Sequence, residues 1–162
     1  MATWEDLQAK AADIAKLLGA SGENLAVAES STGGLVSAAL LAVPGASGYF
    51  TGGLVVYTQA VRSLLIQPAD MEGLRPSTEA YALLLATRAR ERLGAAWALS
   101  ETGAAGPTGN RYGDAAGHSC MAVVGRMQRA VTLETGSTDR VANMWAFAVR
   151  ALDLLAEVLA KP

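Results

Sequence analysis

The chain has one cysteine, Cys120, and one histidine, His118, in 162 residues. A lone cysteine excludes an internal disulfide and a cysteine-rich zinc site, and a lone histidine argues against a histidine-ligated metal. Charge is sparse, at 17% of residues, and the net charge of −2 sets up no basic field to attract nucleic acid or anionic lipid. No apolar run approaches the roughly 20 residues that a bilayer span requires. The opening MATWEDLQAK carries acids and lacks the apolar centre of a secretory signal. Lysine occurs only at Lys10, Lys16 and Lys161, in the two terminal helical stretches. These absences lead us to expect a cytoplasmic protein with no metal, no cofactor, no membrane and no nucleic-acid partner.

Hydrophobic residues make up 51% of the chain, enough for one compact domain over residues 1–162. Apolar spacing predicts a helix over 3–20 and a buried strand at NLAVA, 24–28. Gly33 and Gly34 open a helix, LVSAALLAV, that stops before Pro44. GYFTGGLVVYT, 48–58, reads as a strand with Gly52 and Gly53 marking a bulge or a close approach. QAVRSLLI follows as a short helix, and residues 75–94 as a longer one with Ser77 as N-cap and Gly94 as its stop. AAWALSET, 95–102, is another buried strand. Beyond the glycine-rich loop 103–117, HSCMAVVG and RAVTLETG form a hairpin, and a last helix over 137–160 starts near Ser137 or Thr138. The alternation implies an α/β fold, a three-layer α/β/α sandwich over a mixed, mostly parallel sheet of about five strands.

Two loops follow the ends of expected parallel strands, where open α/β sheets gather a shared crevice. AESSTGG, 28–34, presents Glu29, Ser30, Ser31 and Thr32 at a helix start, a place suited to an anion or to simple capping. TGAAGPTGN, 102–110, exposes backbone amides through glycines spaced by three. Ser47 sits in a third, glycine-flanked turn. Neither a phosphate-loop lysine nor a G-x-S-x-G elbow is present.

In order and spacing, AESSTGG (28–34), VPGASGYF (43–50), GGLVVYT (52–58) and GAAGPTG (103–109) resemble the CinA C-terminal domain family. That family includes stand-alone nicotinamide-nucleotide amidases. The resemblance spans nearly the whole chain. It implies a three-layer α/β/α fold and hydrolysis of the amide of nicotinamide mononucleotide (NMN), giving nicotinic acid mononucleotide and ammonia. It places a catalytic serine on Ser47 and a tyrosine on Tyr57, but the position of the family's lysine holds Arg62. Arginine stays charged and is a poor base, although it can bind phosphate or an oxyanion. His118, Glu29, Glu101 and an activated Tyr57 are the other candidate bases.

Ligand binding is assigned to Glu29, Ser30, Ser31, Thr32, Gly33 and Gly34 in the first loop. The second loop contributes Thr102, Gly103, Gly106 and Pro107. The family's run of arginines before the last helix is replaced by GSTDRVANMW, leaving Arg140, or Arg111 of the glycine loop, to meet a phosphate. Three functions stand open. One is an active NMN amidohydrolase, and another is a related protein that binds a pyridine mononucleotide without turnover. The third is an interaction module that forms a homo-oligomer through Met144, Trp145 and Phe147.

Overall fold

The computed structural model describes all of residues 1–162. In chain order it contains α1 (Trp4–Ser21), β1 (Leu25–Glu29), α2 (Leu35–Leu41), β2 (Phe50–Val55), α3 (Gln59–Arg62), α4 (Glu79–Leu93), β3 (Trp97–Ala104), β4 (His118–Val124), β5 (Gln128–Glu134) and α5 (Arg140–Leu159). Short 3-10 turns lie at Ala46–Gly48 and Pro68–Met71. No helix is long and apolar enough to cross a membrane.

One five-stranded sheet runs in the order β2-β1-β3-β4-β5. β1 is parallel to both β2 and β3, whereas β4 is antiparallel to β3 and to β5. Four strands therefore point one way and β4 alone runs back, the mixed and mostly parallel sheet expected. Side-chain alternation divides the core by size. Leu25, Val27, Trp97, Leu99, Met121 and Val123 face α1, α2 and α5 in the larger cluster. On the other face Ala26, Ala98, Cys120 and Ala122 meet Ala82 and Ala86 of α4. Small residues on both sides let α4 lie close to the sheet, near enough for Ser100 Oγ to donate to Ala82 O at 2.6 Å.

Three local expectations are corrected. The N-cap of α4 is Thr78, whose hydroxyl accepts from Tyr81 N; Ser77 instead takes a left-handed φ of 59°. The N-cap of α5 is Asp139, whose carboxylate accepts from Ala142 N, so neither Ser137 nor Thr138 caps it. Phe147 is fully buried, and the half-buried Met144 and Trp145 pack against the same cluster, so most of that stripe belongs to the core. Gly52 and Gly53 do both things the sequence suggested. The β1–β2 register shifts between Leu25↔Phe50 and Ala26↔Gly52, and a Cβ on Gly53 would strike Ser37 Oγ.

Candidate functional site

β1, β2 and β3 end together, and the chain turns outward after each one. The turns enclose a crevice with two lobes that share Tyr57, Gly103 and Asn110. The larger lobe, about 350 Å³, is lined by Ser30, Arg62, Ser77, Tyr81, Thr102, Arg111 and Tyr112 among others. The smaller, about 210 Å³, takes in Ser31, Gly106, Thr108 and Arg140. Gly103 makes this end of β3 possible, because a Cβ there would lie 2.5 Å from His118 O across the ladder to β4.

Behind the crevice lie two buried carboxylates. Glu29 ends β1 and fills the N-terminus of α2. Its oxygens accept from Gly34 N at 2.7 Å, Val36 N at 3.2 Å, Ser37 N at 2.9 Å and Ser37 Oγ at 2.6 Å. The helix-start anion site is thus occupied by the chain's own carboxylate. Glu101 of β3 holds the next loop, accepting from Ser30 N at 3.1 Å, Thr32 N at 3.0 Å, Ser119 Oγ at 2.9 Å and from Ser31 Oγ. Burial pushes the Glu101 carboxyl above the ordinary carboxylate range, against the pull of those donors.

These bonds sort the expected ligand-binding residues. Ser30, Ser31, Thr102, Gly103, Gly106 and Arg140 reach the crevice, together with Tyr57 and Arg62. Glu29, Thr32, Gly33, Gly34 and Pro107 do not line it. Glu29 and Thr32 are fully buried. Gly33 abuts Met144, with Cε 3.2 Å from where a Cβ would stand, and Gly34 gives its N–H to Glu29. Pro107, after a cis peptide bond, faces solvent.

Ser47 is separated from the crevice altogether. It is exposed in the 3-10 turn that precedes β2, whereas Tyr57 and Arg62 follow β2. About 20 Å of strand lies between them. Within one chain, Ser47 cannot meet Tyr57 or Arg62.

His118 is no free base either. Its Nδ1 meets the Glu134 carboxylate and its Nε2 donates to Ser77 O at 2.8 Å. Burial lowers its pKa, but Glu134, the Ser77 carbonyl and Asp114 outweigh that and the net shift is upward. The imidazolium so formed pins Ser77 in its left-handed turn at the crevice wall. Sequence reasoning missed Asn110, Tyr112, Ser77 and Tyr81. Only the Asn110-Arg-Tyr-Gly-Asp114 spacing carried a signal. Asn110 Oδ1 accepts from Tyr112 N at 3.0 Å and Asp114 N at 3.1 Å, a local turn that shapes the rim.

The charges on the crevice are one-sided. No aspartate or glutamate lines either lobe, yet Arg62, Arg111 and Arg140 do, and none of the three forms an ion pair. Arg62 lies over the Tyr81 ring, 5.8 Å from its centroid, and Arg111 over Tyr112 at the same distance. Arg140 bridges the two rims, donating to Gly106 O at 2.5 Å and to Tyr57 Oη at 3.0 Å. No lysine is present: Lys10 pairs with Asp153 and Lys16 with Asp13 in the α1–α5 layer.

A family model described as the CinA C-terminal domain matches residues 7–159. A CinA-like protein of Parasynechococcus marenigrum (strain WH8102) is 38% identical over 146 residues, 88% of this chain and 35% of its own length. One from Chlorobium phaeobacteroides (strain BS1) is 35% identical over 153 residues, 90% of this chain and 36% of that protein. The chain thus spans about a third of the length of these relatives. Among solved structures, the competence or damage-inducible protein from Enterobacter asburiae superposes with a TM-score of 0.88 at 27% identity, covering 95% of this chain and 98% of the other. The competence/damage inducible protein CihA from Agrobacterium tumefaciens gives 0.87 at 28% identity, with 96% of each covered.

Proposed function

The chain belongs to the CinA C-terminal domain family, and from that premise we propose that it binds a pyridine mononucleotide in the crevice without rapid turnover. The observation that carries this reading is the set of three arginines, Arg62, Arg111 and Arg140, open to a crevice with no acidic lining. Unpaired guanidiniums beside a Gly-rich loop suit a phosphate, which accepts several charge-assisted hydrogen bonds at once. Tyr57 and Tyr112 supply flat surfaces for the pyridine ring. The nicotinamide identity rests on the family resemblance; the arginines speak for the phosphate.

Hydrolysis lacks a base here. A serine nucleophile needs a group that takes its proton, and no lysine, carboxylate or histidine lines the crevice. Ser47, the expected nucleophile, is at the other end of β2, so the serine that lines the crevice beside Arg62 is Ser30.

Calorimetry with NMN and with nicotinamide riboside, which lacks the phosphate, tests the binding reading. NMN is expected to bind at least tenfold more tightly, and Arg62→Ala or Arg140→Ala to weaken it by about 10- to 100-fold. Equal affinity for the two compounds would sink the phosphate assignment. Ammonia release from NMN tests turnover. The wild type is expected to match the blank and Arg62→Lys to gain activity, whereas full wild-type turnover contradicts the non-catalytic reading.

A further inference from the structure

Three guanidiniums open on the crevice, and a single phosphate does not match them. A phosphate monoester carries roughly two negative charges near neutral pH. Two arginines on one side of the crevice are enough to meet it. Arg62 ends α3, directly after the exit of β2, and Arg140 reaches that same exit by donating to Tyr57 Oη at 3.0 Å. Arg111 lies elsewhere, in the loop after β3, which stands two strands from β2 in the sheet. Once a phosphate is placed against Arg62 and Arg140, Arg111 is left over.

The turn that presents Arg111 is fixed before any ligand arrives. Asn110 N donates to Asp114 O at 3.1 Å and Gly113 N to Asn110 O at 3.3 Å, in addition to the two bonds that Asn110 Oδ1 accepts. The Tyr112 ring beside it carries two guanidiniums, those of Arg75 and Arg111, each 5.8 Å from its centroid. Arg75 is neutralised, because it donates to both carboxylate oxygens of Asp114, at 2.7 and 3.1 Å. Arg111 is held against the same ring and has no carboxylate. A charge that is anchored yet unmatched is ready for a second anion on the ligand.

The ring of a pyridine mononucleotide is itself a cation at its glycosidic nitrogen. In the amide, that charge enters a crevice whose lining holds guanidiniums and no carboxylate. A carboxylate on the ring removes the mismatch. It cancels the charge of the ring and offers two coplanar oxygens to a guanidinium fork. We infer that Arg111 is a specificity-determining residue, which selects nicotinic acid mononucleotide over the amide by pairing with the carboxylate on the ring. The inference rests on the crevice being a mononucleotide site and divides the roles within it: Arg62 and Arg140 take the phosphate, and Arg111 reads the substituent on the ring.

Calorimetry with nicotinic acid mononucleotide, NMN and nicotinamide riboside separates this inference from the reading beneath it. The acid mononucleotide is expected to bind the wild type at least tenfold more tightly than NMN, the gain of one charge-assisted pair. Arg111→Gln is expected to bring the two mononucleotides within about twofold of each other and to leave NMN within about twofold of its wild-type affinity. Arg111 is exposed, so the variant is expected to melt at the wild-type temperature. Equal wild-type affinity for acid and amide, or a preference that survives Arg111→Gln, overturns the inference. So does a loss in Arg111→Gln that is equal for both mononucleotides, because Arg111 would then serve the phosphate. In each of these cases, NMN that binds more tightly than the riboside leaves the proposed function standing. Binding of none of the three compounds removes both.

Discussion

Thr32 sets one hydroxyl between two buried carboxylates, 2.8 Å from Glu29 Oε1 and 3.1 Å from Glu101 Oε2. It has a single proton to give to both. Glu101 Oε2 also accepts from two backbone N–H groups, whereas Oε1 meets only the hydroxyls of Ser31 and Ser119, which can turn to accept. A glutamine fits that pattern, its oxygen in place of Oε2 and its amide facing the two serines. Glu101→Gln is therefore expected to fold with stability within about 1 kcal/mol of the wild type in urea. Glu101→Leu strands several buried donors and is expected to cost about 3 kcal/mol or more. Equal losses in the two variants would show that size, rather than hydrogen bonding, governs the site. The same residues mark how far the site was legible. The motif AESSTGG brings Ser30 and Ser31 to the crevice, but Glu29 and Thr32 face inward, because a carboxylate beside a helix start satisfies that helix before any ligand can. Linear spacing does not reveal which way a side chain faces.

At the scale of elements, strand and helix types were readable from periodicity, and the hairpin and both glycine features of β2 were found as expected. The helix starts were displaced by one or two residues. Ser, Thr and Asp all cap well, so PST and STD each offer neighbouring candidates that only backbone geometry separates. The place of Ser47 was hidden for another reason. Ten residues from Tyr57 is close along a sequence but far along an extended strand. Gly103 shows an element's constraint most sharply. Gly103→Ala would press a methyl on the backbone of β4, with His118 O at 2.5 Å and Ser119 Cα at 2.9 Å. We expect a loss of about 1–3 kcal/mol and a lower melting temperature, together with weaker NMN binding from a displaced crevice wall. A melting temperature unchanged from wild type would mean that β3 and β4 can part locally at little cost.

Across the whole molecule, three buried or half-buried groups set the dependence of stability on pH. Arg75 holds the Asp114 carboxyl down to about 2, so its contribution is complete above 3.8 and is lost as pH falls through about 2. His118 is raised above 6.5, so its contribution is complete below 6.5 and is lost as pH rises through the folded value. Glu101 is raised above 4.5, and stability falls as pH climbs from 4.5 to its folded value. The melting temperature is expected to peak between about pH 4 and 5 and to fall toward pH 8, with His118→Gln flattening the alkaline side. A profile that climbs from pH 6 to 8 in the wild type would contradict these assignments.

The distribution of lysine has a practical consequence. With Lys10 and Lys16 on α1 and Lys161 after α5, every side-chain amine belongs to the helical layer on one face of the sheet. A biosensor surface coupled through amines would grip the protein by that layer and by its N-terminus. The arginine-lined crevice holds no amine to be blocked, so immobilised protein is expected to keep its full capacity for mononucleotide.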